Sequence, residues 1–183
     1  RYWLEKHADF QVINLDKITY SGNIDNLKDV VHDKKISKRY KFIKGDIADS
    51  KKVDFIFKTH KPIYLINFAA ETHVDRSIHV GAKEFIDTNV YGVFVLLEAI
   101  KKYSLQKAVF VSTDEVYGSL SLDSKGHFTE KSQFAPNVPY SATKAGGDLL
   151  CRAYHFTWKL PVVVTHCSNN YGPYQYPEKI IPY

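Results

Sequence analysis

Methionine is absent from all 183 residues, which makes Arg1 an unnatural start and leads us to expect a segment of a longer protein. Cysteine occurs twice, at Cys151 and Cys167. Neither is spaced as a metal pair, which excludes a disulfide scaffold and a cysteine-based metal centre, so no metal is expected. No apolar run approaches the ~18 residues of a membrane helix, and no signal-peptide pattern is visible. We expect a cytoplasmic protein without a membrane partner. The nine glycines form no G-x-G-x-x-G turn. The net charge of +5 comes from scattered lysines. Their densest group, Lys34, Lys35, Lys38, Arg39 and Lys41, precedes a strand and reads as a solvated loop rather than a nucleic-acid patch.

What is present is an alternation of patterns. Strands are predicted at 10–15, 40–44, 63–68, 108–111 and 161–165. Arg1 to His7 reads as the tail of an amphipathic helix, and residues 24–31 as a short helix. Asp49 or Ser50 caps a helix to about His60, which Pro62 stops. Long helices are predicted at about 82–103 and 140–158, with mostly loop at 113–139. This order predicts an α/β fold: a doubly wound, Rossmann-like parallel sheet, incomplete at both ends. Ligands of such sheets lie beyond the carboxyl ends of the strands. Asp16, Asp46, Ala69 to Thr72, Thr113 to Glu115 and Ser168 to Asn170 all fall there.

Asp16 ends an early strand, where a carboxylate can bind an adenosine ribose and repel a 2′-phosphate, favouring NAD over NADP. Taken alone, it reads equally as a turn residue, and Asp46 equally as an adenine contact or a cap. Tyr140 and Lys144 stand four residues apart, on one helix face. A phenol of pKa ~10 is a poor base near neutrality, and a nearby ammonium stabilises its anion. Lys144 can act directly or through a bound ribose. Asp114 and Glu115 face opposite sides on a regular strand, so both reach one substrate only if the chain turns right after Thr113. Two carboxyls in one cleft tend to divide into an acid and a base. Ala69 and Ala70 allow close approach of a cofactor. His73 reads as a structural hydrogen-bonding residue, and Lys179 equally as a phosphate contact or a surface lysine.

Leu15 to Asn23, Asn67 to Ser77, Ser112 to Gly118, Tyr140 to Lys144 and Ser168 to Lys179 resemble the dTDP-glucose 4,6-dehydratases of the extended short-chain dehydrogenase/reductase family. The resemblance covers essentially the whole chain. Thr113-Asp114-Glu115 before Val116-Tyr117-Gly118 is its most specific part, because related epimerases and decarboxylases usually lack the pair of carboxyls. The resemblance implies an internal redox cycle on a nucleotide-linked glucose. Tyr140 takes the proton of the sugar 4-hydroxyl, Thr113 holds that oxygen, Glu115 removes the carbon-5 proton, and Asp114 protonates the departing 6-hydroxyl.

By the same matching, Asp16, Lys17, Thr19, Asp46, Ile47, Ala69, Ala70, Thr88, Tyr140, Lys144 and Asn170 hold NAD. Thr72, Thr113, Asn169 and Lys179 touch the nucleotide sugar. The family forms homodimers through its two long helices. Residues 1–183 then correspond to an NAD-binding domain lacking its first strand and glycine-rich loop, with the carboxyl-terminal substrate domain absent. The alternatives are a UDP-glucose 4,6-dehydratase, another sugar-nucleotide epimerase or decarboxylase, and an inactive NAD-binding regulator.

Overall fold

A computed structural model describes residues 1–178 and 181. The chain divides into two compact units, one formed by residues 1–46 with the segment from 171, the other by residues 47–170.

In the first unit, α1 (Tyr2–Lys6) precedes β1 (Val12–Asp16). A 3₁₀ turn (Ile24–Leu27) leads into α2 (Lys28–His32), and β2 (Tyr40–Lys44) follows. The strands pair in parallel, from Val12 opposite Tyr40 to Asp16 opposite Lys44. A five-residue helix has little intrinsic stability. α1 is held by buried Leu4 and by Arg39, whose guanidinium donates to the carbonyl oxygens of Leu4 (2.6 Å), His7 (2.9 Å) and Phe10 (3.2 Å). One member of the basic cluster is thus an internal clamp.

In the second unit, α3 (Ser50–His60) is capped by Asp49, whose carboxylate accepts from the Lys52 N–H at 3.0 Å. It ends at Lys61 in a left-handed conformation, one residue before Pro62. β3 (Tyr64–Asn67) and α4 (Val74–His79) follow. The next helix begins as α5 (Lys83–Ile86), widens into a π-helical segment (Asp87–Gly92) and continues as α6 (Val93–Tyr103). β4 (Lys107–Thr113) runs straight into a 3₁₀ turn (Asp114–Tyr117). α7 (Pro139–Trp158) and β5 (Val162–Cys167) complete the unit.

β3, β4 and β5 form a parallel sheet in that order. Its core includes Val53, Ile56 and Phe57 of α3, Leu96, Leu97 and Ile100 of α6, and Ala108 and Phe110 of β4, all buried. The α/β class with parallel strands is as the alternation predicts. The long helix is continuous to Tyr103 but carries the π segment, and α4 occupies a stretch expected to be loop. β4 and β5 each run two residues further than their apolar runs, because Ser112 pairs with His166 and Thr113 with Cys167. Among the described residues, no helix is long and apolar enough to cross a membrane.

Candidate functional site

The chain turns at the point the two carboxyls require. β4 ends at Thr113, and Asp114 and Glu115 open the 3₁₀ turn that follows it directly. The Thr113 hydroxyl caps this turn, accepting from the Glu115 N–H at 3.2 Å. Gly118 closes it at φ +95°, a conformation that disfavours a side chain, and a Cβ there would meet the Ala135 carbonyl oxygen at 2.5 Å.

α7 brings up the second cluster. Pro139 suits the first helical turn, and the Ser141 hydroxyl accepts from the Val138 N–H at 3.3 Å. Tyr140, Lys144 and Asp148 form one buried stripe at i, i+4 and i+8. The Tyr140 N–H donates to the Ser77 hydroxyl of α4 (3.3 Å), which places the unexpected helix directly under the start of α7. Close approach at the other side needs Gly147, where a Cβ would stand 2.5 Å from the Asn89 carbonyl oxygen.

The electrostatics follow from burial. Burial pushes the Tyr140 phenol up to about 12, helped by the charges of Glu115 and Asp114 and opposed by a hydrogen bond with Thr113. Thr113, Asp114, Glu115 and Tyr140 are therefore neighbours. The Lys144 ammonium donates to the Val111 carbonyl oxygen at 2.8 Å. Burial lowers its pKa, and the Asp148 carboxylate opposes that.

Around this centre, Ala69 and Ala70 follow β3, with the Ala69 N–H on the Asn67 side chain at 3.2 Å. Thr72 is exposed in the same loop, and Nδ1 of His73 is buried without a hydrogen-bond partner, so that atom makes no structural bond here. Thr88 lies in the π segment, and Ile47 is buried against Gly92. Asn169 and Asn170 are exposed just beyond β5, Asn170 donating to the Ser168 carbonyl oxygen at 3.1 Å.

In the first unit, Asp16 is exposed at the end of β1 and accepts from the Ile18 N–H at 2.7 Å. The turn reading of Asp16 is thus observed, and its carboxylate still faces solvent. Lys17 pairs with Asp46 at 2.7 Å across the two strand ends, and Thr19 is half-buried nearby in sequence. Lys179 lies outside the described residues.

Three residues of this region escaped sequence reasoning. Asn89, 2% exposed, clamps the loop after β3: its amide accepts from the Glu71 N–H (3.0 Å) and donates to the Glu71 carbonyl (2.9 Å) and to Thr143 (3.0 Å). Asp148 and His166 lie beneath Lys144, His166 Nε2 standing 3.0 Å from the carboxylate. The i+4 spacing of Asp148 from Lys144 was the available signal.

A phenol beside an acid pair at the end of a parallel strand, with a buried ammonium one helical turn along, is an arrangement for moving protons on a bound alcohol. The comparisons with known proteins agree. The model of one family, described as GDP-mannose 4,6 dehydratase, matches residues 1–183. The chain belongs to this family. A dTDP-glucose 4,6-dehydratase of Streptomyces niveus is 52% identical over 94% of the chain and 48% of its own length. That of Escherichia coli is 46% identical over 93% and 50%.

A crystal structure of dTDP-glucose 4,6-dehydratase from Bacillus anthracis in complex with NAD superposes with a TM-score of 0.86 at 46% identity, covering 99% of the chain and 53% of that enzyme. The UDP-glucose 4-epimerase of Thermotoga maritima, a more distant member of the same fold, reaches 0.82 at 27% identity, covering 97% and 53%. The chain spans about half the length of the curated relatives it matches.

Proposed function

We propose that the enzyme carrying this sequence is an NAD-dependent dTDP-glucose 4,6-dehydratase, yielding dTDP-4-keto-6-deoxyglucose and water for deoxysugar nucleotide synthesis. The observation that carries this reading is the turn that sets Thr113, Asp114 and Glu115 against Tyr140. Relatives at 44–52% identity bear the same activity name.

The donor set suits NAD. The Lys144 ammonium has three donors, and its bond to Val111 leaves capacity for ribose hydroxyls. Tyr140 offers a hydroxyl beside it. Asp16 presents an exposed carboxylate for the adenosine ribose, and Lys17, Thr19 and Asp46 flank it in the same unit. Ile47, Ala69, Ala70, Thr88 and Asn170 complete the proposed cofactor contacts. When bound, NAD supplies reversible hydride acceptance, so the reaction has no net redox change.

The chain's own residues handle protons. Tyr140 Oη takes the proton of the sugar 4-hydroxyl, and the Thr113 hydroxyl holds that oxygen. Oxidation at carbon 4 acidifies the carbon-5 proton, which Glu115 removes. Asp114 protonates the 6-hydroxyl as it leaves. Thr72, Asn169 and Lys179 are the proposed substrate contacts.

A homodimer is part of the proposal. The first long helix exposes Tyr91 and Phe94 and the second exposes Leu149, Phe156 and Trp158, large apolar side chains that a second copy would cover. We place the enzyme in the cytoplasm, where nucleotide sugars and free thiols such as Cys151 and Cys167 coexist.

The test is incubation of the enzyme with dTDP-glucose and NAD, followed by the alkali-induced absorbance of a 4-keto sugar. An epimer or a pentose in its place overturns the dehydratase reading.

A further inference from the structure

Burial works against a charge on Lys144, and the Asp148 carboxylate lines the same small cavity. Asp148 stands one turn along α7 and is 7% exposed. It is fixed from two strands. The Ser112 hydroxyl of β4 donates to its Oδ2 at 2.6 Å, and Nε2 of His166 on β5 lies 3.0 Å from the same oxygen. The other ring nitrogen of His166, Nδ1, stands 2.9 Å from the Tyr117 hydroxyl. A neutral imidazole protonated at Nε2 satisfies both contacts, donating to Asp148 and accepting from Tyr117.

The β4–β5 register places Ser112 opposite His166, so both reach one carboxylate. Facing Lys144 are Asp148 and Cys151 of its own helix and Cys167 of β5. Burial pushes the Cys151 thiol up to about 12, which keeps it neutral. Asn67, Asn89, Phe110 and Val111 line the small cavity beside the pair and bring no charge. Among the described residues, Asp148 is therefore the carboxylate that faces Lys144.

We propose that Asp148, held by Ser112 and His166, is a positioning residue that keeps the Lys144 ammonium charged and aimed past Val111 toward the Tyr140 side of the site. This rests on the reading of Lys144 as the cation that serves Tyr140. A charged Asp148 offsets part of the desolvation cost of the buried ammonium, and the two hydrogen bonds do the same for Asp148. Tyr117, whose backbone lies in the turn after Asp114 and Glu115, closes the chain of contacts through His166, so the turn is tied to the carboxylate that faces the cation.

The experiment reads charge directly, in the enzyme carrying this sequence. Side-chain NMR of protein labelled at lysine and aspartate carbons, with Lys144 and Asp148 assigned by single substitution, follows both titrations. In the unmodified enzyme the Asp148 carboxyl signal is that of an ionised group at neutral pH; a protonated group there overturns the proposal. In Asp148→Asn, which keeps the shape, the Lys144 midpoint falls by about one pH unit, and the descending limb of the pH–kcat profile moves down with it.

Asp148→Glu restores the charge and brings the midpoint back toward that of the unmodified enzyme. An unshifted Lys144 midpoint in a folded Asp148→Asn variant overturns the proposal. The NMR arm requires no turnover. Product formation with an unshifted midpoint sinks this inference alone, and a shifted midpoint without product sinks the dehydratase reading alone.

Discussion

Replacing Asn89 by alanine tests whether the π segment exists to hold the loop after β3. The side chain is 2% exposed and makes three hydrogen bonds: with the Glu71 N–H, with the Glu71 carbonyl and with the Thr143 hydroxyl. A typical net contribution is about 0.5–1.5 kcal/mol per bond. Three bonds give a loss centred near 3 kcal/mol. The backbone groups of Glu71 lie in a half-buried loop and recover part of their hydration, which keeps the loss near that centre rather than above it.

The measurement is equilibrium urea unfolding of the enzyme carrying this sequence, with and without the substitution. Thr143→Val serves as the partner in a double-mutant cycle, since it removes one of the three bonds and leaves the other two. The coupling expected between Asn89 and Thr143 is about 1 kcal/mol. A loss below about 1 kcal/mol for Asn89→Ala refutes the reasoning, because the clamp would then be replaced without cost by solvent or by a shifted loop. Released, the loop bearing Thr72 also loses its fixed position, so KM for the nucleotide sugar rises more than kcat falls.

Two further perturbations separate chemistry from scaffolding. The double variant Asp114→Asn, Glu115→Gln removes the acid and the base while keeping their shapes. Product formation falls at least about 100-fold, whereas NAD retention, measured as cofactor bound after gel filtration, is unchanged; an inactive regulator predicts no functional loss at all. Gly147→Ala drives a methyl group against the Asn89 carbonyl oxygen, 2.5 Å from the ideal Cβ position, and costs about 1–3 kcal/mol in urea unfolding. A neutral result there means that α7 and the π segment separate more easily than their packing implies.

The sequence was most legible where local chemistry decided the outcome. The Asp49 cap, the turn after Thr113 and the helix opening at Pro139 each rest on residues adjacent in the chain. It was least legible where partners are distant. α4 follows His73, which provides no side-chain cap, and the bond from the Tyr140 N–H to Ser77, 63 residues away, ties it to α7. The last residues of β4 and β5 are polar and read as loop, yet each satisfies the other in register.

The site divides in the same way. Thr113, Asp114, Glu115, Tyr140 and Lys144 stood out as candidates from type and spacing. Asn89 and His166 did not, because their partners are distant in the chain, and Asp148 offered only its i+4 spacing from Lys144. Asp16 shows a third case, in which a turn bond and an exposed carboxylate are both present and the two readings do not compete.

The raised pKa of Tyr140 carries a last consequence. At about 12, the phenol is almost wholly protonated near neutrality and serves as a base only once positive charge is brought beside it. The causes are burial first, then the negative charges of Glu115 and Asp114. Each unit of lowering corresponds to about 1.4 kcal/mol of preference for the anion, so bringing the group to the working range requires several kcal/mol of added positive potential.

Lys144 would supply part of this in the proposed cofactor site, and the positive charge of bound NAD would supply more. The sign is fixed: loading lowers the Tyr140 pKa, so NAD binding between pH 8 and 10 releases protons. Calorimetry of NAD binding in buffers of different ionisation enthalpy measures that release. It should approach one proton per NAD in this window, fall away at lower pH as the loaded phenol reprotonates, and be absent in Tyr140→Phe. Equal proton release in the two proteins would mean that the phenol stays protonated in the loaded site and that another group takes the proton of the sugar 4-hydroxyl.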